Sequence, residues 1–285
     1  MLAQESLREG RLEEALAELQ TQVRKEPGNA QHRVFLFQLL AVLGRWERSL
    51  TQLQAAGELD PGTMAMVGTY RQAIAAEAVR AAVFAGRESP SLIGEPQEWM
   101  AWLLEALRLT AAGEHARAGE LRARAFEVAP STSGDVEGAP FDWIADGDAR
   151  LGPMLEVIVK GRYAWMPFQR LRVIRLEAPA DLRDLVWMPA YFTLETGAEI
   201  PGLVPTRYPG SEASEDSRIR LSRRTEWTEL SAGTECWVGA GQRTLTTDRG
   251  EHPLMDVRVI RLHSRDGSTE GGPAAPENGH GGSDG

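Results

Sequence analysis

An 18-residue segment that begins with Gly and ends with Pro occurs three times in the chain, at residues 10–27, 44–61 and 113–130. The first two copies are 34 residues apart, and the second and third are 69 residues apart, which is two such periods plus one residue. A period of 34 residues is the length of a tetratricopeptide unit, a helix–turn–helix that buries its apolar face only by stacking on its neighbours. The spacing therefore favours a stack of helical hairpins over three unrelated helices.

Each marked position of the repeat has a role in a helical hairpin. The leading Gly ends the first helix, where a left-handed residue is common, and the closing Pro ends the second. Five residues after each Gly stands a small residue that would let two helices approach closely, namely Ala15, Ser49 and Ala118. The third copy is less regular, because Gly119 and Arg122 stand where the first two copies have Leu. Residues 62–95 lack the leading Gly and the closing Pro at the positions that the repeat requires.

Composition divides the chain into three parts. Residues 1–130 have helical periodicity throughout, whereas residues 141–263 contain short β-branched and aromatic segments separated by Gly and Pro. We place the domain boundary in the turn-rich residues 130–140, and we expect the Gly-rich residues 264–285 to form a disordered tail. The predicted fold class is α+β with two domains, an N-terminal all-α domain of tetratricopeptide-like helical repeats and a C-terminal, mainly antiparallel α+β domain.

Six strands are predicted in the C-terminal domain, at LEVIVKG, LRVIRLE, LVWMPAYFTL, RIRLS, TECWVGAG and MDVRVIRL. A short helix is predicted at APADLRDLVW, with Asp181 near its N-terminus. Phe141 and Trp143 follow the boundary directly and are costly to leave in water. We expect them to pack against the C-terminal sheet or the last helix, at 113–129, and so to hold the two domains as one rigid body.

The net charge of −10 is spread along the chain. This distribution argues against a nucleic-acid-binding protein, which needs a basic face. The one basic run, RIRLSRR, follows the acidic SEASED, so we interpret it as a solvated strand paired with its neighbours. Residues 34–44 form the longest uncharged apolar run and are too short to span a membrane, and the N-terminus lacks a signal-peptide pattern. We expect a cytoplasmic protein without membrane insertion.

The search for catalytic motifs yields no candidate that fits. A calcium loop beginning at Asp146 fails, because Leu151 stands where Gly is needed and Val157 where a bidentate Glu is needed. We interpret Asp146, with Asp142 and Asp148, as turn and cap residues. The single Cys236 excludes an intramolecular disulfide and a Cys-based zinc site, and the histidines lack zinc spacing. No P-loop, dinucleotide fingerprint or serine elbow is present, so we predict no catalytic residue, metal site or cofactor.

Two segments, 160–170 and 205–212, are dense in aromatic and Arg residues, which carry much of the energy of protein interfaces. The residues that could line a binding groove there are Arg162, Tyr163, Trp165, Arg207 and Tyr208. A simpler interpretation, which we favour, is that Trp165 and Phe168 fill the core and that YPGS forms a turn.

The chain resembles the ImpE family, also called SciE-type or TagJ proteins, from about residue 5 to 262. The resemblance is carried by RVFLFQLLAVLGRWERSLTQL, YRQAIAAEAVRAAVFAG, PFDWIADGDARLGPMLEVIVKGRYAWMPF, PADLRDLVWMPA and RYPGSE, and it is most specific from Phe141 to Phe168. It implies helical repeats followed by an α+β domain, and a non-enzymatic accessory role in bacterial type VI secretion. It further implies binding to the small subunit of the contractile sheath, through an N-terminal helix of that subunit, and a link to sheath assembly or to disassembly by the AAA+ unfoldase.

A stack of helical hairpins offers a concave surface to such a helix. In the second repeat, we expect the first helix to direct four residues towards that surface, namely Gln31, Val34, Gln38 and Ala41. The C-terminal domain is an equal candidate for the contact. Two alternatives stay open: a scaffold that binds several partners through its repeats, and a small-molecule enzyme with a site around Asp146, Asp148, Arg162 and Arg207.

Overall fold

The structure, a computed structural model, describes residues 2–232 and 236–263, so the tail predicted at 264–285 lies outside the described residues. The N-terminal part folds into helices α1 Leu2–Arg8, α2 Leu12–Lys25, α3 Ala30–Val42, α4 Trp46–Leu59, α5 Met64–Phe84, α6 Glu98–Ala111 and α7 His115–Val128. Within the described residues, no helix combines the length and the apolar character that crossing a membrane requires.

The marked positions of the repeat have the predicted roles. Helices α1, α3 and α6 each end next to a Gly with positive φ: Gly10 (79°), Gly44 (65°) and Gly113 (78°). The small residues five positions later are fully buried in all three hairpins. In the second hairpin, the Ser49 hydroxyl on α4 donates a hydrogen bond to the carbonyl oxygen of Phe37 on α3 (2.8 Å). The helical repeats predicted from the spacing are confirmed.

The third hairpin, α6 with α7, is set apart from the first two by a long helix and an insertion. Helix α5 has 21 residues, and a short strand, β1 Ser91–Leu92, follows it before α6. Strand β1 pairs in parallel with β6, Arg162–Pro167, so this insertion joins the C-terminal sheet. The insertion explains why residues 62–95 lack the marks of the repeat.

The remaining strands form three sheets. They are β2 Gly134–Val136, β3 Ala139–Phe141, β4 Ile144–Asp146, β5 Met154–Val159, β7 Leu171–Leu176, β8 Trp187–Leu194, β9 Glu199–Pro205, β10 Thr225–Glu229, β11 Trp237–Gly241, β12 Thr244–Thr247, β13 Gly250–Pro253 and β14 Val259–Leu262. The largest sheet has nine strands in the order β1-β6-β5-β9-β8-β7-β14-β2-β3, and the smaller sheets are β13-β12-β4 and β10-β11. Apart from the β1–β6 pair, neighbouring strands are antiparallel, as predicted.

One prediction about local structure is wrong. The strand expected at RIRLS is a one-turn helix, α8 Ser217–Arg220, because the Asp216 side chain caps its N-terminus by accepting a hydrogen bond from the Arg218 N–H (2.8 Å). Residues 130–140, where we place the domain boundary, contribute to the hairpin β2–β3, which pairs with β14 at the edge of the large sheet. The short helix predicted after residue 178 is present as a 3₁₀ helix at Leu182–Leu185, capped by Asp181.

The large sheet is buried on both faces. Along β5, alternate residues belong to two cores: Met154 and Ile158 lie in the core shared with the helices, and Leu155, Val157 and Val159 lie in the core shared with the three-stranded sheet. Glu156 shares the helix-facing side with Met154 and Ile158.

Aromatic side chains connect the large sheet to the helices. The ring centroid of Trp187 on β8 lies 5.9 Å from that of Trp46 on α4 and 5.8 Å from that of Tyr70 on α5. Phe141 is buried, whereas Trp143 is 40% exposed. Helices α4 and α5 are therefore packed in part by the chain's own C-terminal half.

Candidate functional site

An open groove of about 500 Å³ lies between α1 and α3, beside the segment that leads into the 3₁₀ helix at Leu182–Leu185. Its apolar lining includes Leu7, Val34, Phe35 and Leu182. Charged groups of both signs also line it, with Arg8 on α1 and with Asp60 and Asp181 at the starts of the other segments. We call this depression the α1/α3 groove.

Local capping fixes both walls of the α1/α3 groove. Helix α3 begins where the Asn29 side chain accepts hydrogen bonds from the backbone N–H groups of Gln31 (3.0 Å) and His32 (3.2 Å). On the other wall, Asp181 and Asp184 form a capping box that sets the direction of the 3₁₀ helix. The lining residues are thus carried on elements with defined starts.

Three of the four residues predicted on the inner face of α3 line this groove, namely Gln31, Val34 and Gln38. The prediction for Ala41 needs correction, because Ala41 is fully buried. Its carbonyl oxygen accepts a hydrogen bond from Arg207 Nη2 (3.0 Å), so the C-terminal half covers this end of α3.

Four of the five residues that could line a binding groove in the C-terminal domain do not form a surface. Tyr163, Trp165, Arg207 and Tyr208 are all buried, which makes them unavailable to a docking partner, and only Arg162 is exposed. The interpretation of Trp165 as a core residue is confirmed, since it packs on Phe84 of α5 with ring centroids 6.0 Å apart.

Arg207 caps helices from inside the protein. Its Nη1 donates to the carbonyl oxygens of Val42 (2.7 Å) and Arg220 (2.8 Å), which lie at the C-terminal ends of α3 and α8. Terminal carbonyls of this kind have no partner within their own helix and carry the negative end of the helix dipole. Burial lowers the pKa of Arg207 to about 10, so the guanidinium stays protonated at neutral pH. It therefore holds the C-terminal end of the groove helix in place.

A buried ion-pair network joins α5 to the sheet. Arg80 Nε donates to Glu156 Oε1 (2.7 Å), and Arg80 Nη2 donates to Glu156 Oε2 (3.0 Å) and to the Arg207 carbonyl (2.8 Å). Arg243 in turn donates to Glu156 and to Asp146. Glu77, one turn before Arg80, accepts from Trp187 Nε1 (2.8 Å). The charges at the centre of the protein are thus compensated by one another.

The network shifts the two buried carboxyl groups in opposite directions. Burial by itself would raise the pKa of Glu156, but the nearby Arg80 and Arg243 outweigh it and lower the pKa to about 2. Burial dominates at Asp146 and raises its pKa to about 6, although Arg243 opposes the shift. Glu156 is therefore the fixed anion of the network.

The residues of the alternative enzyme site do not converge on a solvent-filled cleft. Asp146, Asp148 and Arg207 are each at most 3% exposed, and Arg162 is on the surface. Asp146 Oδ1 accepts from the Asp148 N–H (2.9 Å), and Asp148 Oδ1 accepts from the Arg150 N–H (2.9 Å), which are turn contacts of the predicted kind. Among residues 2–232 and 236–263, no group of three or more His, Cys, Asp or Glu side chains could hold a metal ion.

Comparison with known proteins gives the family. A sequence model described as ImpE protein matches residues 138–261, and a tetratricopeptide repeat model matches residues 6–76. The chain is 50% identical over 266 residues to the type VI secretion system accessory component TagJ of Pseudomonas aeruginosa strain PAO1, covering 93% of this chain and 92% of that protein. The chain belongs to the ImpE family.

A solved structure supports the fold of this ImpE-family chain. An X-ray crystal structure of a Vibrio parahaemolyticus protein matches it with a TM-score of 0.84, covering 93% of this chain and 98% of the other. The sequence identity is 23%, so this likeness concerns the fold alone. The helical repeats and the sheet thus occur in the same arrangement in a second protein.

Sequence reasoning missed part of the ImpE-family chain's groove and the whole buried network. Leu7 and Leu182 line the groove from segments far apart in sequence, and nothing local in the sequence signals their meeting. The network did leave a signal. Arg80 stands in an Ala-rich helix and Glu156 in an otherwise apolar strand, and an isolated charge in an apolar segment predicts a buried partner of opposite charge.

Proposed function

We propose that this chain is a non-enzymatic accessory component of a type VI secretion system, acting in the cytoplasm. We propose further that it binds the small subunit of the contractile sheath through that subunit's N-terminal helix, and that this contact links it to sheath assembly or disassembly. The 50% identical relative is described as an accessory component of type VI secretion, which supports the first part.

The α1/α3 groove is the observation that carries the binding proposal. It is open to solvent, and it combines a mostly apolar lining with charged groups on α1 and on two segments beside it. An amphipathic helix docks by laying its apolar face in a groove of this kind. Val34 lies near the middle of the wall formed by α3 and is half-buried, so a docked helix would cover it.

The absence of catalysis is proposed because the acidic and basic groups best placed for chemistry are bonded to one another. Arg80, Glu156 and Arg243 are buried and ion-paired. A substrate would have to displace these ion pairs at the centre of the protein, whereas enzyme sites present such groups to a cavity.

Titration of the full-length protein with a synthetic N-terminal helix of the sheath's small subunit tests the proposal. We expect binding in the micromolar range, and we expect Val34→Asp to weaken it at least tenfold, because a charge placed against an apolar face loses its hydration without gaining a partner. Val128→Asp is the matched control, since Val128 is 54% exposed at the end of α7 and outside the groove. Equal affinities for the two variants, or no binding by the unmodified protein at 100 μM, which is about 100 times the expected dissociation constant, would refute the proposal.

A further inference from the structure

Gln38 is a polar side chain on the floor of the α1/α3 groove. It is only 5% exposed, and it lines the groove together with Val34, one helical turn earlier on α3. Its neighbours in sequence, Phe37 and Leu39, are fully buried and apolar. Within residues 2–232 and 236–263, the Gln38 carboxamide makes no hydrogen bond to another group of the protein. Most of Gln38 is thus buried, but its carboxamide, which can donate two hydrogen bonds and accept two, is not among the fully enclosed polar atoms of the described residues and has no protein partner there.

This position matters once the groove is covered. While the groove is open, water can reach the Gln38 amide from that side. A partner that covered the groove with a purely apolar surface would strip this water and leave a buried polar group unsatisfied, which weakens binding by about tenfold or more. A leucine or methionine would fill a similar volume without this cost. The amide is therefore useful only if the partner offers it a hydrogen bond.

We propose that Gln38 is a specificity-determining residue that selects a partner helix carrying one amide or hydroxyl side chain within its apolar face. This inference rests on the proposed function, since it describes what the groove selects in the helix that it binds. The partner's backbone cannot supply the bond, because N–H and C=O groups inside a helix already bond to each other. A single polar pair inside an apolar helix interface fixes register, as a buried Asn does in coiled coils, because any shift leaves both groups unsatisfied.

The charges at the groove's edge favour the same kind of occupant. Arg8 lies on the α1 side and Asp60 on the segment that precedes α5, whereas the third charged group, Asp181, is already paired with Arg183. An amphipathic helix with charges of both signs beside its apolar face complements this edge. A uniformly acidic or basic segment would meet a like charge on one side.

The probe is the synthetic N-terminal helix of the sheath's small subunit, with each polar residue of its apolar face replaced in turn by leucine. The peptides are titrated into the full-length protein and into Gln38→Leu. The unmodified protein should lose about tenfold in affinity for one of the substituted peptides. Gln38→Leu should bind the native peptide about tenfold more weakly than the unmodified protein does. Its affinities for the native peptide and for that same substituted peptide should lie within twofold of each other. Gln54→Leu, an exposed glutamine on α4, should behave like the unmodified protein.

The outcomes separate this inference from the proposed function. If the unmodified protein binds no peptide, both fail. A second outcome is that the unmodified protein binds the native peptide, but each leucine substitution changes the affinity for the unmodified protein and for Gln38→Leu by the same factor. In that case the groove binds a helix and the inference about Gln38 is wrong. A purely structural Gln38 would lower the urea midpoint and weaken all peptides by the same factor, which also overturns the inference. Gln38→Met, with an unbranched side chain of similar length, serves as the second variant if Gln38→Leu does not fold.

Discussion

Replacing Arg80 by methionine removes the central cation of the buried network and keeps most of the aliphatic side chain. Glu156 then loses both of its hydrogen bonds from Arg80 while remaining fully buried. The Arg207 carbonyl oxygen also loses the hydrogen bond that it accepts from Arg80. Breaking a buried ion pair on one side costs about 3–5 kcal/mol, because the other charge stays uncompensated. Here Arg243 continues to face Glu156, but the buried Glu77 also loses its ion pair with Arg80 (3.5 Å), so we expect a loss of about 3–4 kcal/mol.

A loss of that size is a large part of the stability of a typical domain, about 5–15 kcal/mol. Urea denaturation followed by tryptophan fluorescence and by far-ultraviolet circular dichroism measures it directly. The matched control is Arg108→Met on α6, because Arg108 pairs with Glu105 on the same helix with both side chains exposed. Exposed pairs of this kind contribute little to stability, so the urea midpoint of this control should be close to that of the unmodified protein.

A second substitution tests whether charge balance is the cause. Removing the charge of Glu156 in the Arg80→Met background leaves Arg243 with one carboxylate, Asp146, instead of two. The double variant Arg80→Met/Glu156→Gln should therefore be less destabilised than the sum of the two single variants, by about 1 kcal/mol or more. Equal losses for Arg80→Met and Arg108→Met, or strictly additive losses in the double variant, would refute the reasoning.

Three further predictions follow from particular contacts. The pKa of Glu156 falls from 4.5 to about 2 on folding, so the stability that its ionised form contributes is present above pH 4.5. This contribution, up to about 3 kcal/mol, is lost as the pH falls towards 2. Between pH 7 and 3, the urea midpoint should therefore fall more steeply for the unmodified protein than for Glu156→Gln. Gly44→Ala should cost about 1–2 kcal/mol, because φ is +65° and a Cβ would lie 2.5 Å from Glu212 Cγ, whereas Gly28→Ala, with open space around it, should be nearly neutral in the same assay. Native digestion with a Glu-specific protease should cleave only slowly after Glu137, because its carboxylate accepts hydrogen bonds from the Arg258 and Val259 N–H groups, and the fragments from this slow cleavage should stay associated. Rapid cleavage with separating fragments would show a flexible junction.

The repeats could be predicted because their signals are local. A Gly with positive φ, a small residue five positions later and a Pro after the second helix are each required by one hairpin. The prediction of a strand at RIRLS was wrong because its local signal fits two structures. Alternating polar and apolar residues are typical of a strand, but the same residues also form a single helical turn when Asp216 caps it.

The sequence left a C-terminal binding groove open as an alternative to a core, because aromatic and Arg residues occur in cores as well as at interfaces. Strand β6 is second from the edge of the sheet, between the two-residue β1 and β5, and the sheet is covered on both faces. Tyr163 and Trp165 are therefore enclosed, although their types are typical of binding surfaces. Arg80 and Glu156 stand 76 residues apart, so each charge could be noticed in the sequence, but their pairing depends on the tertiary fold.

The packing of the C-terminal half onto the repeats has a consequence for binding. In an isolated stack of hairpins, the helices could shift relative to one another, and a partner would have to fix them at a cost in affinity. Here α3 is held at its start by Asn29 and at its end by Arg207, a residue of the C-terminal half. The opposite wall at Leu182 also comes from the C-terminal half, and Trp187 anchors that half against Tyr70. We therefore expect the groove to be formed before any partner arrives, and a helix that bound in it would have a fixed orientation relative to the sheet.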